Sequence, residues 1–76
     1  MTSVDVYFSY GQTPGENEMR AVDGIREVYG IRRVSFDEKQ RTVRVEYDAS
    51  RLSESVVLGL LRRAGIDARD RAVPAV

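Results

Sequence analysis

Two glycines limit how this chain can fold. Gly30 and Gly65 each close a stretch with helical periodicity, and each is followed at once by an apolar segment. Before Gly30, the apolar residues Ala21, Val22, Ile25, Val28 and Tyr29 fall on one stripe, with Arg20, Asp23, Arg26 and Glu27 largely outside it. Before Gly65, Val56, Val57, Leu60, Leu61 and Ala64 line one face, and Ser53 is placed to cap its start. A glycine just past a helix adopts the left-handed conformation that ends it without the steric cost of a Cβ. The chain thus reads as two helices with defined stops, and the segments between them must be strands or turns.

The strand segments follow from alternation. Val4, Val6, Phe8 and Tyr10 alternate with Asp5, Tyr7 and Ser9, the period of a strand with one buried face. Ile31, Val34 and Phe36 lead into the polar turn Asp37-Glu38-Lys39-Gln40, and Val43, Val45 and Tyr47 alternate out of it, which predicts a hairpin. Asp48-Ala49-Ser50 breaks the pattern. Ile66, Ala68 and Ala72 predict a short last strand; strict alternation would turn Asp70 inward, so this strand is expected to bend, bulge or end before it. The resulting order, β-α-β-β-α-β, is α+β: a ferredoxin-like sandwich with a four-stranded antiparallel sheet and two helices on one face. Leu58 falls outside the second stripe and is expected on the surface.

Length and charge exclude several function classes. The 76 residues suffice for one domain, with a core over about residues 4–70 and a frayed tail over about 72–76. Twelve basic residues balance twelve acidic ones, so no net field draws the chain to nucleic acid or an anionic membrane. All the basic residues except Lys39 are arginine, whose planar fork suits protein contacts. No apolar run approaches the roughly 18 residues of a membrane span, and no basic-then-apolar leader opens the sequence, so a cytoplasmic location is expected. With no cysteine and no histidine, there is no disulfide, reactive thiol or imidazole base. Ser53 and Ser55 lack a base, Glu16 and Glu18 resemble a helix start rather than an acid/base couple, and no glycine-rich phosphate loop occurs. Neither an enzyme, a cofactor nor a small-molecule substrate is expected.

The segment from Gly11 to Asn17 carries a family resemblance. Gly11-Gln12-Thr13-Pro14-Gly15-Glu16-Asn17 lies between the first strand and helix, where heavy-metal-associated (HMA) domains place G-M-T-C-x-x-C. Gly30-Ile31 is similar to the family's G-V, Phe36-Asp37 and Tyr47-Asp48 resemble its V-D and Y-D, and Arg63-Ala64-Gly65-Ile66-Asp67-Ala68 is similar to its A-G-Y/F-x-A. The chain therefore resembles the module of copper chaperones, mercury-binding carriers and metal-pumping ATPases. That resemblance implies a soft ion such as Cu(I), Zn(II) or Hg(II) held between two thiolates near a helix N-terminus.

The ligands do not carry over. The cysteine positions are Pro14, which has no side-chain donor atom, and Asn17, whose amide oxygen is hard and neutral. Gln12 stands for the family's methionine and Ile66 for its aromatic. Met1 and Met19 hold the only sulfur atoms, and Met19 is expected to pack on the helix edge. Thr13-Pro14-Gly15-Glu16 reads instead as a capping box, with Thr13 as N-cap and Glu16 reaching back to it. Glu16, Glu18, Asp67 and Asp70 lack the spacing of a calcium loop and are expected as solvated partners of Arg20, Arg63, Arg69 and Arg71. No metal site is expected at Gly11, Gln12, Thr13, Pro14 and Asn17, the degenerate motif positions.

The open face of the sheet remains. Alternation places Asp5, Tyr7 and Ser9 there from the first strand, and Thr42, Arg44 and Glu46 from the third. An RNA-binding sheet of this topology shows several stacking aromatics, and here only Tyr7 qualifies, so no nucleic acid is expected. Tyr7, Arg44 and Glu46 are the candidate interaction surface of a small protein-interaction or regulatory module, for a protein partner or for self-association. The alternative is a heavy-metal transport or detoxification carrier that uses oxygen ligands near Glu16 and Asn17 or ligands donated by a partner. Strands two and four are the expected sheet edges, and Arg32, Arg33, Arg69 and Arg71 near them oppose pairing by sheet extension.

Overall fold

The computed structural model describes residues 2–72, with Asp70 described by its backbone alone. Its elements run β1 (Ser3–Tyr10), α1 (Glu16–Ile25), β2 (Ile31–Asp37), β3 (Thr42–Asp48), α2 (Glu54–Arg63) and β4 (Ala68–Arg71). The sheet order is β2-β3-β1-β4, antiparallel at every pairing, so β2 and β4 are its edges. The apolar positions of the strands meet those of the helices in one core: Val6, Phe8, Val43 and Val45 from the sheet pack with Val22, Val57 and Leu61 from the helices. This is the ferredoxin-like arrangement the alternation predicts. Of the tail expected to fray over 72–76, Ala72 is instead held to the sheet, its N donating to Tyr7 O at 2.7 Å, and residues 73–76 lie outside the described residues.

Both edge strands carry a register shift, and each shift explains a break in the hydrophobic pattern. In β2 the shift lies between Ile31 and Arg33, which lets Ile31 and Val34 both face the core despite their odd spacing. In β4 the pairing runs from Tyr10↔Ala68 to Phe8↔Arg71, so the extra residue falls between Ala68 and Arg71. The last strand therefore bulges, as expected, but continues through Asp70 rather than ending before it.

The helices depart from expectation at three points. Helix α1 closes at Ile25, before Gly30; Val28 still packs on the core, but Tyr29 is 73% exposed and Ala21 is exposed. The intervening residues form tight turns, with Glu27 N donating to Gly24 O and Val28 N to Ile25 O. Gly30, at φ +101°, therefore ends those turns and not the helix itself. The capping motif lies two residues later than expected. Gly15 is the N-cap and Glu18 accepts a 2.8 Å bond from its amide, whereas Thr13 and Glu16 do not form the box. On α2, Leu58 packs half-buried against the core while Val56 is 48% exposed, the reverse of the stripe.

Helix α2 otherwise follows its sequence closely. Ser53 Oγ accepts from Val56 N at 3.3 Å at the start. At the end, Gly65 N donates to Arg62 O and Ile66 N to Leu61 O, with Gly65 at φ +92°, which is a Schellman motif.

Candidate functional site

The loop from Gly11 to Gly15 begins where β1 ends, and its junction with that strand is tied by three hydrogen bonds. Gly11 N donates to Asp67 O at 3.2 Å, Arg41 Nη1 donates to Gly11 O at 2.6 Å, and Tyr10 N donates to Arg41 O at 2.9 Å. Arg69 Nη2 pairs with Asp67 Oδ2 at 3.0 Å directly beside Gly11: a Cβ built there would lie 2.3 Å from Arg69 Nη2 and 2.5 Å from Asp67 Oδ2. The hairpin and the β4 approach thus bring two guanidiniums to the mouth of the loop. Sequence reasoning missed this convergence, although Arg41, just after the hairpin turn, belongs to the same end of this topology.

Around that anchor the loop presents no soft donor. Gln12, Thr13 and Asn17 are exposed and Pro14 is half-buried. Amide and hydroxyl oxygens are hard, neutral donors that do not suit a soft cation. Glu16 pairs with Arg20 at 3.0 Å, Glu18 caps the helix and Asp67 pairs with Arg69 at 3.0 Å, so these three carboxylates near the loop are already engaged. Among the described residues, no three His, Cys, Asp or Glu side chains are grouped to hold a metal ion. Met19 is half-buried, consistent with packing on the helix edge.

Beneath the loop, Tyr10 is buried and meets Phe36 edge-on, with ring centroids 5.7 Å apart. Burial is the main cause that raises its phenol above the ordinary value; Glu38 and Asp37 add to the effect and Arg41 opposes it. Tyr10 therefore stays a neutral, structural side chain at physiological pH.

The open sheet face brings together the residues that alternation assigned to it. Tyr7 stands opposite Arg44, Asp5 opposite Glu46 and Ser9 opposite Thr42 across β1 and β3. Arg44 Nη2 pairs with Asp5 Oδ2 at 3.0 Å, and Ser35 and Arg33 from β2 continue the rows next to Arg44 and Glu46. The hydrogen bond and charge of Asp5 raise the Arg44 pKa above its ordinary value. Arg44 Nε is buried with no hydrogen-bond partner among the described residues, an unmet donor within an otherwise polar, half-exposed face.

At the opposite end of the sheet a second cluster forms that sequence reasoning also missed. Asp48 is buried, and its Oδ1 accepts from Ser50 Oγ at 2.6 Å, Ser50 N at 3.0 Å and Thr2 N at 3.4 Å. Arg51 Nε lies 3.4 Å from Asp48 Oδ2, and its guanidinium stacks 4.2 Å from the Tyr29 ring centroid. The Ser50 hydrogen bonds chiefly, then that of Thr2 and the charge of Arg51, hold the Asp48 carboxyl below its usual range, against the effect of burial.

Comparison with known proteins supports the architecture. The crystal structure of oxidized MerP from Ralstonia metallidurans CH34 superposes with a TM-score of 0.71, over 90% of this chain and 96% of that one, at 20% sequence identity. The two chains share the ferredoxin-like β-α-β-β-α-β fold. The sequence itself matches no protein-family model and no curated protein. At this identity the likeness is one of fold, and function must be argued from the residues.

Proposed function

We propose that this chain is an HMA-like domain that has given up soft-metal binding and works as a small protein-interaction or regulatory module through its open sheet face. The observation that carries this is the state of the loop: Pro14 and Asn17 stand at the two ligand positions, while Arg41 and the Arg69–Asp67 pair close over Gly11. A thiophilic cation finds no sulfur there. The sheet face offers the features of a protein contact: an aromatic, Tyr7, beside registered charges from Arg44, Asp5 and Glu46.

The experiment that separates this from a metal carrier is native mass spectrometry with Cu(I), Zn(II) and Hg(II). The chain is expected to stay metal-free under mild chelation. Stoichiometric binding would favour the carrier, with oxygen ligands near Glu16 and Asn17 or with ligands donated by a partner. Supplying thiols tests the scaffold itself: Pro14→Cys with Asn17→Cys is expected to bind one soft ion, because the loop then holds two sulfur donors at the start of α1. For the interaction face, Tyr7→Ala with Arg44→Glu is expected to abolish capture of any partner that the unmodified chain retains, with an unchanged circular dichroism spectrum. A partner captured equally by both proteins would remove the sheet face from the proposal.

A further inference from the structure

A concavity of about 300 Å³ opens at the Gly30 end of the sheet, lined by Tyr29, Gly30, Ile31, Arg32, Asp48 and Arg51. Tyr7, Arg44 and Glu46 of the open face take no part in it. Its walls are set by local structure on both sides. Gly30 turns the chain into β2 at φ +101°, and the register shift between Ile31 and Arg33 brings Arg32 in beside it. Across from them, Arg51 N and Leu52 N both donate to Asp48 O at 3.0 Å. That turn lays Arg51 against Gly30, where an added Cβ would lie 3.5 Å from Arg51 Cβ.

Within this concavity the Arg51 guanidinium is held in two directions at once. Its Nε lies 3.4 Å from Oδ2 of Asp48, whose side chain is only 5% exposed, and its face stacks on the Tyr29 ring at 4.2 Å. An arginine on the surface ordinarily gives up rotamer freedom when it binds something, and here two contacts have already fixed it. Both contacts leave the Nη1 and Nη2 groups without a hydrogen-bond or ion-pair partner among the described residues. Tyr29 is 73% exposed and adds little to the core, so its contact with Arg51 is the role the structure gives it. Asp48 is closed to a ligand, with three donors on Oδ1 and Arg51 at Oδ2.

We infer that this concavity is a binding site for a carboxylate, with Arg51 as the group that grips it and Asp48 and Tyr29 as positioning residues. A guanidinium edge presents two parallel N–H donors at the spacing of two carboxylate oxygens. Two guanidiniums against one carboxylate leave a net charge of +1 among the lining side chains, which matches a monoanion better than a dianionic phosphate. A cationic ligand is disfavoured by the same count, and it would have to displace Arg51 from both Asp48 and Tyr29. The Tyr29 ring and Ile31 give the site an apolar wall for a short hydrocarbon stem. Such a group is carried by a small free acid or by the end of a peptide chain. The open sheet face is not involved, so this site and the proposed function stand or fall separately.

Nuclear magnetic resonance titration of the isotope-labelled full chain tests it, with sodium propionate, the peptide acetyl-Ala-Val with a free C-terminus, and the same peptide amidated. Ionic strength is held constant with sodium chloride, and each probe is taken to roughly 50 mM, enough to detect millimolar affinity. Propionate and the free-acid peptide are expected to shift the Gly30 and Arg51 amides and the Arg51 Nε–H saturably, and the amidated peptide is expected to leave them in place. A peptide that binds more tightly than propionate marks a chain terminus as the source, and equal affinity marks a small acid; either supports the site. Arg51→Lys keeps the charge and loses the fork, and is expected to weaken binding about tenfold or more. Tyr29→Leu, at an exposed position, is expected to weaken it severalfold with an unchanged circular dichroism spectrum. Tyr7→Ala with Arg44→Glu is expected to bind as the unmodified chain does. Absence of saturable shifts, equal shifts from the amidated peptide, or an affinity that Arg51→Lys leaves unchanged overturns the inference.

Discussion

The two ends of the sheet are closed with the same parts, a glycine beside an aspartate and an arginine, and use them in opposite ways. Where β2 begins and β3 finishes, Gly30 holds φ +101° and accepts from Asp48 N at 2.8 Å, and Asp48 is a buried carboxylate with three donors on one oxygen. At the other end, Gly11 has no such conformation, and the Asp67–Arg69 pair beside it is exposed to solvent. One aspartate is part of the structure's interior; the other is a lid made of flexible side chains. The contrast teaches that the Gly30 end of the sheet carries a buried structural charge, while the Gly11 end is covered only by exposed side chains.

The sharpest way to break this contrast is Asp48→Ala. It leaves Ser50 N, Ser50 Oγ and Thr2 N without their acceptor and frees Arg51 from its carboxylate. A loss of roughly 10 °C in Tm is expected, the largest change at either end. The charge can be read separately through pH. Because the folded-state pKa of Asp48 lies below its unfolded value of 3.8, its stabilisation is complete above that value and is lost as pH falls through it towards the folded value. The Tm gap between the unmodified protein and Asp48→Asn is therefore expected to be flat from neutral pH to about pH 5 and to narrow below about pH 4. A gap that stays constant on acidification would show that shape, not charge, makes this end rigid.

Gly30→Ala is the next step down. A Cβ at φ +101° is strained by its own backbone and would also meet Leu52 Cδ1 at 3.0 Å. A destabilisation of about 1 kcal/mol, roughly 4–8 °C in Tm for a chain of this size, is expected by thermal melting. If the loss were negligible, the turn would have to relax out of the left-handed region. The Asp48 N to Gly30 O bond should then weaken, which amide hydrogen exchange at Asp48 would report.

How much of this could be read from the sequence differs between the same two ends. Gly65 and Ser53 showed where α2 stops and starts, because capping and the left-handed stop are local and need no tertiary partner. The start of α1 was less legible: Thr13-x-x-Glu16 and Gly15-x-x-Glu18 are overlapping candidates, and choosing between them depends on how the loop is anchored through Gly11. Val28 and Tyr29 continue the helical spacing, yet the chain has already left the helix, since Gly30 must turn it into β2. The Arg32 insertion in β2 left its mark in the odd spacing of Ile31 and Val34, but a single chain's pattern does not separate a bulge from noise. The meeting of Arg41, Asp67 and Arg69 at Gly11 was not legible at all. It depends on the pairing of β1 with its neighbours and on the path from α2 into β4, both of which are tertiary.

The smallest expected effect lies at that meeting point, in Gly11→Ala. Taken as a rigid body, the site forbids the change, with the new Cβ 2.3 Å from Arg69 Nη2 and 2.5 Å from Asp67 Oδ2. Both are the far ends of flexible side chains, exposed at 63% and 38%, and an exposed ion pair contributes roughly 0–1 kcal/mol. Gly11 is not in the left-handed region, so alanine brings no backbone strain, and the bonds from Gly11 N to Asp67 O and from Arg41 to Gly11 O involve main-chain atoms that it retains. The pair should swing aside at a cost within about 0.5 kcal/mol, with the difference nearly independent of salt. A loss as large as that of Gly30→Ala would mean that the Arg69–Asp67 pair over Gly11 is as much a part of the fold as Asp48, and the two ends would no longer be different in kind.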